Sequence, residues 1–500
     1  MGEKEELSQV VIIGSGYAGS VAALRLAQAG LDSVVLERGR RWPIVPQGNT
    51  FATPAAPDGR VAWLSTTSPF TPVKLDVYAG VLEAFHGNGV SPLAGAGVGG
   101  GSLVNTTVML QPPRKFFEKS FGDSLDYDEM ADVWYPRARA LVGPGPIPDD
   151  VLNSSFYEQA RFFFDQTGRA GLSPFRLDMA VDWQTVRDEI AGTKVASAIL
   201  GDSIWGINSG AKRSVDRTIL ASAEGTGRVT VQPLTRAVDI QPVKDGYLVS
   251  CEQIDEQGNV VARPTFRARY VFLAAGSLGT TRLLVRCKAR GSLPKLNKWV
   301  GSLWGSGGDH ITVRVGLPYD NPTRGGPSSI AFSDFGNPAG PVTMLDFPWP
   351  FPPPGGGGDS AALAVTDPPP LGSFSYDASS DTVQLNWPAS DSRVVEATKA
   401  VKATLDRINA ANPGTSTQLV DSTHTSHAMG GAVLGKACHE DGRLVGYENL
   451  YVIDSALLPG SVGAVPPALT VTALADRCVS QALEELQDDG SSASEALAGH

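Results

Sequence analysis

With 500 residues, 42% of them hydrophobic and 19% charged, the chain is long enough to bury a large core as two domains or one elaborate one. A net charge of −11 and a pI near 5.1 exclude a nucleic-acid partner, whose phosphates such a surface repels. Four scattered cysteines (Cys251, Cys287, Cys438 and Cys478) with no C-x-x-C pair exclude a disulfide framework and a zinc or other metal site.

In chain order, the opening MGEKEELSQ is acidic where a signal peptide needs a positive region, and no run approaches the ~18 apolar residues of a membrane span. The expectation is a cytoplasmic chain with no integral membrane segment. Next, VVIIGSGYAGSVAALRLAQAGLDSVVLERG reads as strand, tight turn, helix and strand. Its Gly14, Gly16 and Gly19 stand in G-x-G-x-x-G spacing. Their places are a tight turn, a close approach to pyrophosphate and the packing of helix on strand. The helix N-terminus offers free N–H groups to phosphates. Glu37 ends the second strand, where an acid binds ribose hydroxyls. That acid disfavours a 2′-phosphate, but the motif does not choose between NAD and FAD.

A second glycine cluster, LAGAGVGGGSLVNTTV, holds Gly97, Gly99, Gly100, Gly101, Ser102 and Asn105. Its bare backbone suits a flat or anionic partner. NSSFYEQARFFFDQTG predicts a helix with a Ser155–Glu158 capping box. GRVTVQPLTRAVDIQ and YLVSCEQID read as strands, and RYVFLAAGSLGTTRLLVRC as strand, turn at Gly276 and helix. FPWPFPPPGGGGDS excludes regular structure and is read as a disordered loop or a lid. DSRVVEATKAVKATLDRINAANPG predicts an amphipathic helix burying Val394, Ala397, Val401, Leu405 and Ile408. THTSHAMGGAVLG puts His424 and His427 ahead of a double glycine, and the chain ends in a strand, an irregular turn and a long helix opened by Pro467.

These pieces resemble the glucose–methanol–choline (GMC) family of FAD-dependent oxidoreductases, with most likeness to cholesterol oxidases that hold FAD without a covalent bond. The resemblance covers nearly the whole chain. It rests on VIIGSGYAGSVAALRL, YAGVL, GVGGGSLVN, FLAAGSLGTTRLLVR, YDASSDTVQLNW and GRLVGYENLYVIDSALLPGSVG. It implies an α/β fold: a Rossmann-like FAD-binding domain with an interleaved α+β substrate-binding domain on an antiparallel sheet. The first would take residues 7–45, 88–110, 205–300 and 440–487, the second 46–87, 111–204 and 301–439, leaving 488–500 as a disordered tail. The resemblance also implies that Gly14, Gly16, Gly19 and Glu37 hold the ADP half, with the Val238 backbone meeting the adenine. Gly99, Gly100, Gly101, Ser102 and Asn105 would pass along flavin and pyrophosphate, and Asp454 would bind the ribityl or pyrophosphate region. The last helix, from Pro467, would aim its positive end at the flavin; Tyr17, Gly97 and Gly276 complete the cofactor set.

At the substrate the chain departs from those oxidases, which use a histidine, an asparagine and a glutamate. The histidine of their YHPLGG stretch matches His427 in SHAMGG, leaving His424 as a loop residue. The asparagine's GVNPF stretch matches GAVPPALTV, with Val465 or Pro466 at the donor position. The glutamate's position reads Leu345, with Asp346 one residue on. Neighbouring strand side chains point to opposite faces, so Asp346 reaches the site only if this stretch is a loop. The expected reaction is oxidation of a bulky apolar substrate, CH–OH to C=O, by a monomer. Hydride goes to flavin N5, His427 accepts the proton, Asp346 is a second catalytic candidate and O2 is the electron acceptor. Flavin-assisted desaturation and a catalytically dead flavin scaffold are the alternatives.

Overall fold

The computed structural model of the chain describes residues 5–68, 70, 73–318, 324–348 and 358–498. Its first sheet is built around the strand Glu5–Ile13, whose Val10, Val11, Ile12 and Ile13 are buried. This strand runs parallel to Ser33–Leu36 on one side and to Thr265–Leu273 on the other. Val229–Gln232 and Leu450–Val452 extend the parallel set at its two ends. Both faces are covered, which is why these strands are apolar runs rather than alternating ones. Gly246–Ile254 and Thr235–Val243 add antiparallel strands to the early half of Thr265–Leu273.

The helix Tyr17–Gln28 buries Ala18, Gly19, Ser20, Val21, Ala22 and Ala23 in succession. Small residues all round suit a helix held between the sheet and a neighbouring helix; here the neighbour is Ala468–Ala498. That last helix begins one residue after Pro467, whose carbonyl accepts from the Val471 N–H at 2.8 Å. It runs to Ala498.

The second sheet is antiparallel, in the order Ser416–Asp421, Asp309–Val315, Asp359–Val365, Val342–Asp346, Ile330–Asp334, Phe175–Arg176. One face carries the helices Ser392–Ala411 and Glu158–Arg169. The first buries Ala397, Val401, Leu405 and Ile408, as its periodicity predicts, while Val394 is only half-buried, against the cluster of Trp304, Leu385 and Trp387. The second opens at Glu158, after a single turn at Ser155–Tyr157. Arg314 marks this helical face, donating to Asn409 Oδ1 at 2.8 Å and Gln166 Oε1 at 2.6 Å. Its strand neighbours Ile311 and Val313 point the other way. The proline–glycine stretch read as a loop or lid lies, over 349–357, outside the described residues. Among the described residues, no helix is long and apolar enough to cross a membrane.

Candidate active site

A cavity of about 610 Å³ runs from the turn after the first strand to the open face of the second sheet. At the first end, glycines set the shape. Gly14 has φ +104°, and a Cβ there would strike the Ala274 carbonyl; one on Gly19 would strike the Gly14 carbonyl. Strand, turn and helix therefore meet at backbone distance. Gly16 faces Gly100 from the second cluster: a Cβ on Gly100, itself at φ +54°, would lie 2.8 Å from the Gly16 Cα. Gly101 has open space where its Cβ would be. Such a cradle, with bare backbone on two sides and a helix N-terminus at its edge, fits the pyrophosphate of a flavin dinucleotide.

Glu37 lines the same end and is buried. Its Oε2 accepts from the Ser15 N–H and Oγ at 3.1 and 2.7 Å, and its Oε1 from the Gly39 N–H at 2.9 Å. Burial pushes the Glu37 carboxyl above its ordinary pKa, against those hydrogen bonds. Asn105 Nδ2 donates to the Tyr17 hydroxyl at 3.0 Å, joining the two glycine segments across the cavity wall. Asp454 accepts from the Gly276 N–H at 2.8 Å, Thr280 Oγ1 at 2.5 Å and the Ala456 N–H at 2.8 Å. It ties the start of the helix Gly276–Arg290 to the chain before the last helix, and burial pushes its pKa up to about 6. Pro466, Pro467 and Ala468 close this part of the lining.

Gly19, Gly97, Gly99, Ser102 and Val238, all expected contacts, stand behind the wall rather than on it. The Gly97 carbonyl accepts the Gly100 N–H at 2.8 Å, and Ser102 Oγ donates to the Gly99 carbonyl at 2.7 Å. Both brace the cradle from behind. Val238 is the extra residue of a bulge between Ala237 and Asp239; Thr235, Arg236 and Ala237 reach the cavity instead. Lys212, which no motif flags, is buried beneath the loop. Its Nζ donates to the carbonyls of Leu103, Asn105 and Ser203 at 2.8, 2.7 and 3.0 Å. Burial lowers its pKa to about 7.

At the other end the wall is apolar, with Ile204, Ile311, Val313, Phe347, Leu363 and Leu419 on it. His427 projects among them. Its Nδ1 lies 2.6 Å from Asp309 Oδ1, and among the described residues Nε2 has no hydrogen-bond partner. His424, expected to be a plain loop residue, also lines the cavity, from a two-residue strand paired with Ser91–Pro92. Its Nδ1 is turned toward Asp421 Oδ2, 3.3 Å away.

Asp346 does not reach this site. It ends the strand Val342–Asp346 opposite Ala362, which in turn pairs with Thr312 on the helical face. Its Oδ1 accepts from the N–H groups of Ser329 and Ile330 at 2.6 and 2.7 Å. The stretch is a strand, so the one-residue offset turns the carboxylate away. Leu345, paired with Leu363, takes the cavity side.

Residues 371–475 match the family model for GMC oxidoreductase, and residues 9–45 that for an FAD binding domain. The chain is 26% identical over 557 residues to a cholesterol oxidase of Mycobacterium tuberculosis, covering 94% of this chain and 90% of that one. It is 36% identical over 288 residues to a long-chain-alcohol oxidase of Arabidopsis thaliana, covering 55% of this chain and 34% of the relative. The fold is that of the crystal structure of pyridoxine 4-oxidase from Mesorbium loti, with TM-score 0.63 at 16% identity over 95% of this chain and 99% of that one.

Proposed function

From the premise that the chain belongs to the GMC oxidoreductases and is an FAD-dependent enzyme, we propose that it oxidises a CH–OH carbon of a bulky, largely apolar substrate, with His427 taking the hydroxyl proton. The observation that carries this reading is the His427 imidazole at the largely apolar end of the cavity, anchored through Nδ1 at 2.6 Å with Nε2 left open. The names of the relatives, cholesterol oxidase and long-chain-alcohol oxidase, support an apolar alcohol.

FAD would be held by Glu37 and Gly14 at the adenosine side, by Gly16, Gly100 and Gly101 at the pyrophosphate, and by Asn105, Asp454 and the helix after Pro467 toward the flavin. Bound there, it supplies the two-electron acceptor for the hydride leaving the substrate carbon; oxygen then serves as final acceptor, as the oxidase relatives suggest. The chain's own part is to exclude water with its sheet face, orient the alcohol against that wall and accept its proton at Nε2.

One observation favours a second reading. Pro466 stands on the cavity wall with no side-chain donor, and a desaturation needs no such donor on a hydroxyl. Anaerobic mixing of the flavin-loaded protein with an alcohol panel, followed by product mass, separates the two. His427→Ala should slow flavin reduction by about 10²-fold or more, the usual range for general acid–base catalysis, with FAD content retained. Wild-type bleaching by that variant would overturn the reading.

A further inference from the structure

We propose that Asp309 is the positioning residue that makes His427 a base. It holds the proton on Nδ1 and offsets the charge that appears when Nε2 takes the substrate proton. This rests on the reading of His427 just given.

The pair is built, not incidental. Asp309 opens the strand Asp309–Val315 and is 3% exposed. Its Oδ1 meets His427 Nδ1 at 2.6 Å, short even for a charge-assisted bond. Its Oδ2 accepts from the Ser426 N–H at 2.8 Å and Ser426 Oγ at 3.0 Å. With both oxygens engaged by the residues around His427, the carboxylate has no freedom to turn away. Burial raises its pKa, but the His427 ring and the Ser426 donors outweigh that and hold it below its ordinary value.

The two loops are joined as well. Gly305 and Met429 exchange backbone hydrogen bonds at 2.9 and 3.1 Å. Gly307, at φ +65°, passes so near that a Cβ on it would lie 2.6 Å from the His427 Cβ. A side chain larger than hydrogen would force the strand, and Asp309 with it, off the imidazole.

The chemistry follows from the geometry. An ionised acceptor on Nδ1 keeps the hydrogen there, so the lone pair lies on Nε2. In the oxidation the substrate carbon loses hydride to FAD and its hydroxyl loses a proton to Nε2. The imidazolium so formed abuts a buried carboxylate rather than an apolar wall. An asparagine would keep the shape without the charge, and can present its NH2 to Nδ1, which favours the wrong tautomer.

Asp309→Asn should therefore slow anaerobic flavin reduction by about 10²-fold or more, with FAD content and melting temperature near wild type. The acid limb of its pH–rate profile should move to lower pH, because the imidazolium loses its partner. The other titratable groups at this end are Asp421 and His424, paired with each other, and His310, held by the Gly308 carbonyl and Thr398. All are common to both proteins, so the difference isolates Asp309. A merely structural aspartate would lower FAD content or stability and leave the profile in place, which overturns the proposal. So does a wild-type rate in Asp309→Asn when His427→Ala is slow; a wild-type rate in His427→Ala instead removes the reading beneath both. Nitrogen-15 shifts of labelled histidine in the unaltered, flavin-loaded protein need no variant. They should show His427 protonated on Nδ1 and bare on Nε2, and the opposite tautomer overturns the assignment.

Discussion

The backbones of Gly16 and Gly100 face each other so closely that a methyl group on Gly100 would lie 2.8 Å from the Gly16 Cα. The first glycine belongs to the turn after the opening strand, the second to a cluster more than eighty residues on. Neither makes the phosphate cradle alone.

Gly100→Ala should weaken FAD binding by about tenfold or more. The added methyl must push the Gly16 turn aside, and φ +54° costs a non-glycine residue about 1–2 kcal/mol, where 1.4 kcal/mol is a factor of ten. Titration of the flavin-stripped variant with FAD, followed by fluorescence quenching, measures this. Wild-type affinity would show that the two segments are not in contact in the bound form.

FAD should come free of the protein on acid precipitation, leaving the yellow colour in the supernatant. The second glycine cluster carries no histidine or cysteine to attach it. All four cysteines are buried and none lines the cavity, and His86, the nearest histidine in sequence, is not on the wall either. Colour held in the pellet would contradict this.

Asp346→Asn should leave flavin reduction unchanged and alter only the pH dependence of stability. Burial raises the Asp346 carboxyl from 3.8 to about 7. Between those values the folded chain keeps a proton that the unfolded chain has lost, so stability falls as pH rises through the window. Asparagine stays neutral and still accepts from Ser329 and Ile330. The variant's melting temperature should therefore gain on wild type between pH 5 and pH 8. An equal difference at both would refute the assignment, and a large loss of turnover would return Asp346 to the site.

Sterol isomerisation should be absent, because the cavity side of that strand carries Leu345. Supplying a Δ5-3-ketosteroid and watching for the conjugated enone tests it. Rapid conversion would mean that a base elsewhere on the wall does the work.

Asp476→Ala should lower stability by about 3 kcal/mol. Asp476 is fully buried and takes paired bonds from Arg25 at 2.7 and 2.8 Å and from Arg137 at 2.9 Å twice. It clamps the last helix to two others, and its loss takes the carboxylate from the largely buried Arg25 guanidinium. Chemical denaturation of the flavin-loaded protein measures the change.

The part legible in the chain alone is local. The apolar run ending at Ile13, the spacing of Gly14, Gly16 and Gly19, and the acid at Glu37 lie within thirty residues. Their pattern follows from strand burial and backbone sterics alone. The face of the helix Ser392–Ala411 was legible for the same reason, since a period of 3.6 residues needs no distant partner. Tertiary structure decided the rest. Strand parity, fixed by pairing with Ala362, turned Asp346 away from the cavity and Leu345 toward that side of the sheet. Lys212 reaches the carbonyls of Leu103 and Asn105 from more than a hundred residues off. His427 finds Asp309 across 118 residues. No spacing rule spans such distances, because the contacts exist only once two sheets have formed and their loops have been closed on each other by glycines.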